Sequence, residues 1–231
     1  MSQSWTRGRV DAYGPAMDPQ EAVDNFRRAI SHCDNLVLIH KTHGGGGRGR
    51  RVVEPSINRA VIVLAVAAWQ AAVQDLAHAC LDLGAPPVAA TQQYRTYKVV
   101  AGAVRQHIGA FATPNAQNSR NLLQHAGFDP RRYWTWRQPM GKVGWVVRTP
   151  NDVDTIMNEW LNVRHALAHG HAELPLVSVL EVVRGHPANW QGQATLRRDD
   201  ASSCVAFFKR LVAVTAAAAA SEFGASVPSW S

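Results

Sequence analysis

The chain has 231 residues, 46% of them apolar, which allows a sizeable core in one large domain or two small ones and argues against wholesale disorder. Its formal charge of +7 favours a polyanionic partner, nucleic acid or acidic protein, without choosing between them. Three cysteines, Cys33, Cys80 and Cys204, are far apart, odd in number and without Cys-x-x-Cys spacing. This disfavours a disulfide framework or a zinc knuckle and favours a reducing cytoplasm.

Residues 1–17 read as a loose lead-in without the apolar core of a signal peptide. Asp18 and Pro19 supply a cap and a first-turn proline for a helix to about His40, with Ala22, Phe26, Ile30, Cys33, Leu36, Val37 and His40 on one stripe. Residues 43–53 form a Gly/Arg loop with four consecutive glycines, Gly44 to Gly47, and with Arg48, Arg50 and Arg51 as candidate phosphate grips. A solvated tether between helices is the simpler reading of it. It is not a P-loop, since no Gly-Lys-Ser/Thr follows.

A second long helix opens at Glu54-Pro55-Ser56 and runs to about Leu83. It is apolar nearly all round from Ala60 to Ala68, the pattern of a central helix. That run is too short, and too soon interrupted by Trp69-Gln70, to span a bilayer, so no membrane partner is expected. Further helices are predicted from Thr91 to Phe111 and from Ala116 to Ala126.

Residues 129–149 form a basic aromatic loop, in which Arg131, Arg132, Arg137 and Arg148 interleave with Tyr133, Trp134, Trp136 and Trp145. Arg131, Arg132, Arg137, Trp134 and Trp136 are its candidate RNA-binding residues, because unstacked bases and phosphates want aromatic faces and guanidiniums. The alternative is that the tryptophans pin a long connection onto the core.

Asp152 to Ala168 reads as one amphipathic helix, with Val153, Ile156, Met157, Trp160, Leu161, Arg164 and Leu167 or Ala168 on one face. Asn151 or Asp152 can cap its start and Gly170 can end it. Leu174 to Val183 fits a strand or a short helix, and Gln193 to Leu196 a brief extended piece. Asp199 or Asp200 caps a last helix through about Glu222, with Val205, Phe208, Leu211, Val212 and Thr215 inward. Residues 224–231 read as a frayed tail. The economical architecture is all-α: a single helical domain over 18–223.

The helix of 152–168 ends in the most informative stretch, which holds His165, His169 and His171 beside Arg164. Arginine offers a permanent charge and a fork of donors for phosphate oxygens; histidine offers a proton-transfer group that titrates near neutrality. Arg164 and His169 lie about 140° apart around the axis, while His165 and His169 fall on nearly one face.

Arg164-His165-Ala166-Leu167-Ala168-His169 resembles the Arg-x4-6-His motif of HEPN-domain ribonucleases, in which a polar residue typically follows the arginine. Trp160-Leu161-Asn162-Val163 and Gly170-His171 on either side look like that family too. Ser56-Ile57-Asn58-Arg59-Ala60, with Leu64 and Trp69-Gln70-Ala71, resembles the early core helix of the RiboL-PSP-HEPN subgroup. Asn118-Ser119-Arg120-Asn121-Leu122-Leu123-Gln124 with Gly127-Phe128 resembles its mid-chain segment. The Gly/Arg loop and the side chain of His171, which reads as a C-cap histidine or a second proton-transfer group, lie outside the shared pattern.

The resemblance implies a HEPN-like antiparallel helical bundle with extra helices and loops. It also implies a metal-independent endoribonuclease, needing no cofactor, that leaves 2′,3′-cyclic phosphate and 5′-hydroxyl ends on RNA. On that model His169 is the acid/base, Arg164 stabilises the phosphorane-like transition state and His165 positions the pair. A homodimer with a composite cleft is expected, serving as a toxin or antiphage effector with a possible antitoxin or defence-system partner.

Three rivals remain at this stage, one of them a HEPN nuclease kept silent as the effector of a larger system. His165 and His169 at i,i+4, with His171 nearby, can bind zinc, but Ala166 stands where a His-Glu-x-x-His protease needs glutamate. A HEPN-like domain can also be a non-catalytic nucleic-acid- or nucleotide-binding or assembly module.

Overall fold

The most apolar stretch of the chain becomes the hub. In a computed structural model, which describes residues 16–43, 53–139, 144–187 and 189–230, α1 (Pro19–His43) is followed by α2 (Val53–Leu83), α3 (Thr91–Gly109) and α4 (Ala116–His125). A 3-10 turn (Arg131–Tyr133) and strands β1 (Trp136–Pro139) and β2 (Trp145–Arg148) come next, then α5 (Pro150–Ala168), α6 (Glu181–Arg184) and α7 (Arg198–Glu222). Helix takes 67% of the described residues and strand 4%, so the fold is all-α as expected. The candidate phosphate grips Arg48, Arg50 and Arg51 lie outside the described residues.

α2 packs against α1, α3, α4, α5 and α7. Its apolar circumference is what lets it do so: Val61, Ile62, Ala65, Val66, Trp69, Ala72, Val73, Leu76 and Ala77 are all buried. Cross-links fix α1 and α2 as antiparallel. Moving into and along α1, Met17 N just before the helix donates to Asp82 Oδ2 (2.9 Å), Asn25 Nδ2 to Asp75 Oδ2 (2.9 Å), and His40 Nδ1 pairs with Asn58 Oδ1 (2.8 Å), so the partners on α2 run backwards. α7 closes the core by stacking Phe208 on Trp69, centroids 6.0 Å apart. Cys33, Cys80 and Cys204 are free thiols buried in that core.

The run Ala60–Ala68 is short, yet whole helices around such runs are apolar enough for a lipid bilayer: mean hydropathy reaches 1.7 in α2 and 1.5 in α7. Here 56% and 61% of those windows are buried inside the protein, as in core helices.

Several boundaries differ from the sequence expectation for local reasons. Thr149, not Asn151 or Asp152, caps α5. Its Oγ1 accepts from Asp152 N (3.3 Å), the Asp152 carboxylate accepts from Thr149 N (2.8 Å), and Pro150 fills the first helical position. At α7 the helix begins at Arg198, and Asp200 reaches back to accept from Arg197 N at 2.7 Å.

The basic aromatic segment 129–149 is not a structureless loop. β1 and β2 pair antiparallel, Trp136 opposite Arg148 and Pro139 opposite Trp145. Leu174 to Val183 resolves into an irregular segment ending in the single turn of α6. Nor is the tail frayed. Ser229 N donates to Gln20 Oε1 (2.7 Å), and Trp230 meets Phe26 edge-on with centroids 6.2 Å apart.

The far end of α5 closes in a Schellman turn. His171 N donates to Ala166 O (2.9 Å) and Gly170 N to Leu167 O (3.3 Å), with Gly170 at φ 67°. A Cβ on Gly170 would meet nothing within 4 Å, so only the backbone conformation demands glycine there. Gly170→Ala should therefore lower stability by about 1–2 kcal/mol in denaturant titration. Trp134→Ala should cost more, about 3–5 kcal/mol, since it empties a fully buried site. Trp145→Ala, at a 65% exposed position, should stay within about 0.5 kcal/mol in the same measurement.

Candidate active site

The setting of α5 decides which side chains reach solvent. Val153, Met157, Trp160, Leu161, Val163 and Ala166 are buried, while Leu167 is half-buried and Ala168 exposed. Arg164 falls on the same side as Val153, Met157 and Trp160, and it is half-buried rather than a free surface arginine. Its Nε is enclosed and has no hydrogen-bond partner, and no ion pair engages the guanidinium among the described residues. A long side chain of this kind buries its stem and keeps its charge towards the edge.

Further round the helix, about 100° and 140° from Arg164, His165 and His169 begin a row of imidazoles. The rings of His165 and His169 are nearly parallel, 9° apart with centroids at 6.1 Å. His169 and His171 follow at 6.0 Å and 29°. His165 is half-buried; His169 and His171 are exposed. The one-turn separation puts His165 and His169 together. The Schellman turn brings His171 back alongside them, which residue spacing alone does not reveal. None of the three rings has a hydrogen-bond or ion-pair partner among the described residues.

His165, Asn162, Ala166 and His171 line a shallow groove of about 270 Å³, completed by Glu173, Leu174 and Pro175. Glu173 is the residue that sequence reasoning missed. It lies beyond the helix and becomes a neighbour only because the chain turns back at Gly170.

Burial, then the Arg164 charge and then His169, hold the His165 pKa below the ordinary histidine value. This ring therefore resists protonation near neutral pH and is available as a proton acceptor. Among the described residues, no group of three or more His, Cys, Asp or Glu side chains converges to hold a metal ion.

The candidate RNA-binding residues of the hairpin region divide. Trp134 is fully buried, its Nε1 donating to Thr215 Oγ1 (3.1 Å), so no base can stack on it. Trp136 is 6% exposed and packs against Phe207. These two indoles pin the segment to the core, and the assignment of Trp134 to RNA is corrected by its burial. Arg131 pairs with Asp154 (3.1 Å) and Arg132 with Glu222. Both guanidiniums brace the 3-10 turn against α5 and α7. Arg132 and Arg137 are exposed with aromatic partners, their guanidiniums 4.8 Å from the centre of the Tyr133 ring and 5.5 Å from that of Trp145.

No protein-family model matches the chain, and no curated protein or solved structure is similar enough to it to match.

Proposed function

We propose that this chain is a HEPN-type endoribonuclease that cleaves RNA without a metal ion or cofactor. The observation that carries the reading is the row of three unpartnered imidazoles at the end of the helix that also bears Arg164. Such a row can both remove and return a proton, and the adjacent guanidinium supplies positive charge where a phosphodiester becomes dianionic.

In the proposed reaction the RNA 2′-hydroxyl gives up its proton to a neutral imidazole, and its oxygen forms a bond to the adjacent phosphorus. The bond from phosphorus to the 5′-oxygen then breaks, and that oxygen takes a proton from a protonated imidazole. The products are a 2′,3′-cyclic phosphate and a 5′-hydroxyl. His169, an exposed ring at the helix end, is the principal acid/base group. His165, held towards its neutral form, orients it and can serve as the base. Arg164 stabilises the transition state. A second copy of the chain is the proposed partner, with the two motifs facing one cleft, and a toxin or antiphage role in the cytoplasm is the proposed setting.

The decisive measurement is cleavage of end-labelled RNA in excess EDTA, with analysis of the product ends. Wild-type protein should yield cyclic phosphate and 5′-hydroxyl termini. His169→Ala should lose about 10²–10⁴-fold in rate and Arg164→Ala about 10²–10³-fold, both with unchanged circular dichroism. Unchanged cleavage in both variants, or 5′-phosphate products, would refute the assignment.

A second measurement tests the electrostatics of the row. Because the His165 pKa is depressed in the fold, unfolded chains take up the proton first as pH falls, so this residue lowers stability on acidification through the histidine range. In Arg164→Gln one source of repulsion is gone, and the His165 midpoint followed by NMR should move up towards its ordinary value. A midpoint that does not move would place the guanidinium out of reach of the imidazoles.

A further inference from the structure

Away from the imidazoles, the groove at the end of α5 changes character. Leu174 and Pro175, both half-buried, and the buried Ala166 give it an apolar side. Asn162 and Glu173, both exposed, give it polar groups of another kind. At about 270 Å³ it lies just under the roughly 300–1,000 Å³ of sites that take a whole small molecule, so it suits one planar ring system.

Glu173 is the informative member. A carboxylate beside a phosphodiester repels it and costs affinity. Holding an imidazole in place, or pairing with a nearby cation, would explain its presence. Neither is observed: no hydrogen bond or ion pair engages Glu173 among the described residues. An adjacent carboxylate also raises an imidazole pKa, whereas burial and then Arg164 hold that of His165 down. Asn162 is likewise without a hydrogen-bond partner among the described residues.

What a free carboxylate recognises follows from its hydrogen-bonding character. When ionised it accepts at both oxygens and donates nothing. A planar base that satisfies both oxygens at once must present two N–H donors side by side. Guanine does so with N1–H and its 2-amino group. Adenine and cytosine place their amino group beside an acceptor nitrogen, and uracil has its N3–H between two carbonyls, so each turns an acceptor towards the carboxylate. These edges are free to be read in single-stranded RNA. The Asn162 carboxamide adds the donor that guanine O6 needs.

We propose that this groove binds a guanine base of the RNA, with Glu173 accepting from N1–H and the 2-amino group, Asn162 donating to O6, and Leu174 and Pro175 against the ring. On the endoribonuclease reading above, on which this rests, Glu173 is a specificity-determining residue of that same site, and cleavage falls at linkages beside guanosine.

Two measurements on the full chain test it. In calorimetric titration, guanosine 3′-monophosphate should bind with a Kd below about 1 mM and at least about tenfold more tightly than the adenosine, cytidine or uridine 3′-monophosphate. Inosine 3′-monophosphate, which lacks the 2-amino group, should bind more weakly than the guanosine nucleotide. Glu173→Gln should lose the preference with unchanged circular dichroism, because the amide turns a donor towards the 2-amino group. In the second measurement, an end-labelled RNA carrying all four bases in matched contexts should be cut beside guanosine by wild type and without that preference by Glu173→Gln. Equal binding of the four nucleotides, or a guanosine preference that survives in Glu173→Gln, overturns the proposal. Cleavage spread evenly over all four bases would leave the nuclease reading standing and remove the guanine groove. A chain that cuts no RNA, yet prefers the guanosine nucleotide only while Glu173 is present, would keep the groove and remove the nuclease reading.

Discussion

The rotation of α5 about its own axis is the constraint on which both candidate sites depend. Val153, Met157, Trp160, Leu161 and Val163 bury themselves against α2, α4 and the 3-10 turn. Burying side chains of this size is worth roughly 1.5–3 kcal/mol each, far more than any surface contact the helix makes. With those five positions seated, the direction of every other side chain on a rigid 19-residue rod is settled. Arg164 is carried to the edge of the core, and His165 and His169 are carried to solvent. The chemistry of the helix is thus a by-product of its packing: rotating α5 to turn Arg164 out to solvent would expose Trp160, which lies one turn away on the same face.

Where one periodic signal governs an element, that element was legible in the sequence. The stripe of α1 is buried at Ala22, Phe26, Ile30 and Cys33 and half-buried at Leu36, Val37 and His40, and the apolar run of α2 is buried at Val61, Ile62, Ala65, Val66 and Ala68 while Ala60, Leu64 and Ala67 stay exposed. Val205, Phe208, Leu211, Val212 and Thr215 of α7 are all buried. Helix ends are harder to place because competing caps sit side by side. Thr149, Asn151 and Asp152 are all competent, and Thr149 wins because Pro150 fits the first turn and Asp152 can then close the capping box. The tail was misjudged because composition says nothing of a partner 209 positions away, as Gln20 is for Ser229.

The basic aromatic segment shows why charge runs mislead. Four arginines and three tryptophans between Arg131 and Arg148 look like a nucleic-acid surface when read in line. In three dimensions two of those arginines are spent on Asp154 and Glu222, and the Trp134 indole is spent on Thr215, 81 residues further on. The guanidiniums that line the cleft between the hairpin, α5, α6 and α7 assemble from separate places: Arg137 and Arg148 from the hairpin, Arg184 from α6, Arg210 from α7. No window of sequence contains them together, so no local pattern could have found the cleft. His165, His169 and His171 were found because they are local, lying on two turns and a helix cap.

The two sides of α5 also differ in how they bear on the fold. The imidazole row is solvent-facing, and nothing there contributes to seating the helix, so RNA bound on that side gains no leverage over the core. The cleft is bounded by Trp160 and Phe207, which belong to the apolar cluster that fixes α5 and α7. A substitution in this aromatic floor therefore loosens the rod on which Arg164 and the histidines are mounted, so the floor is where the stability of α5 and the geometry of its reactive end meet.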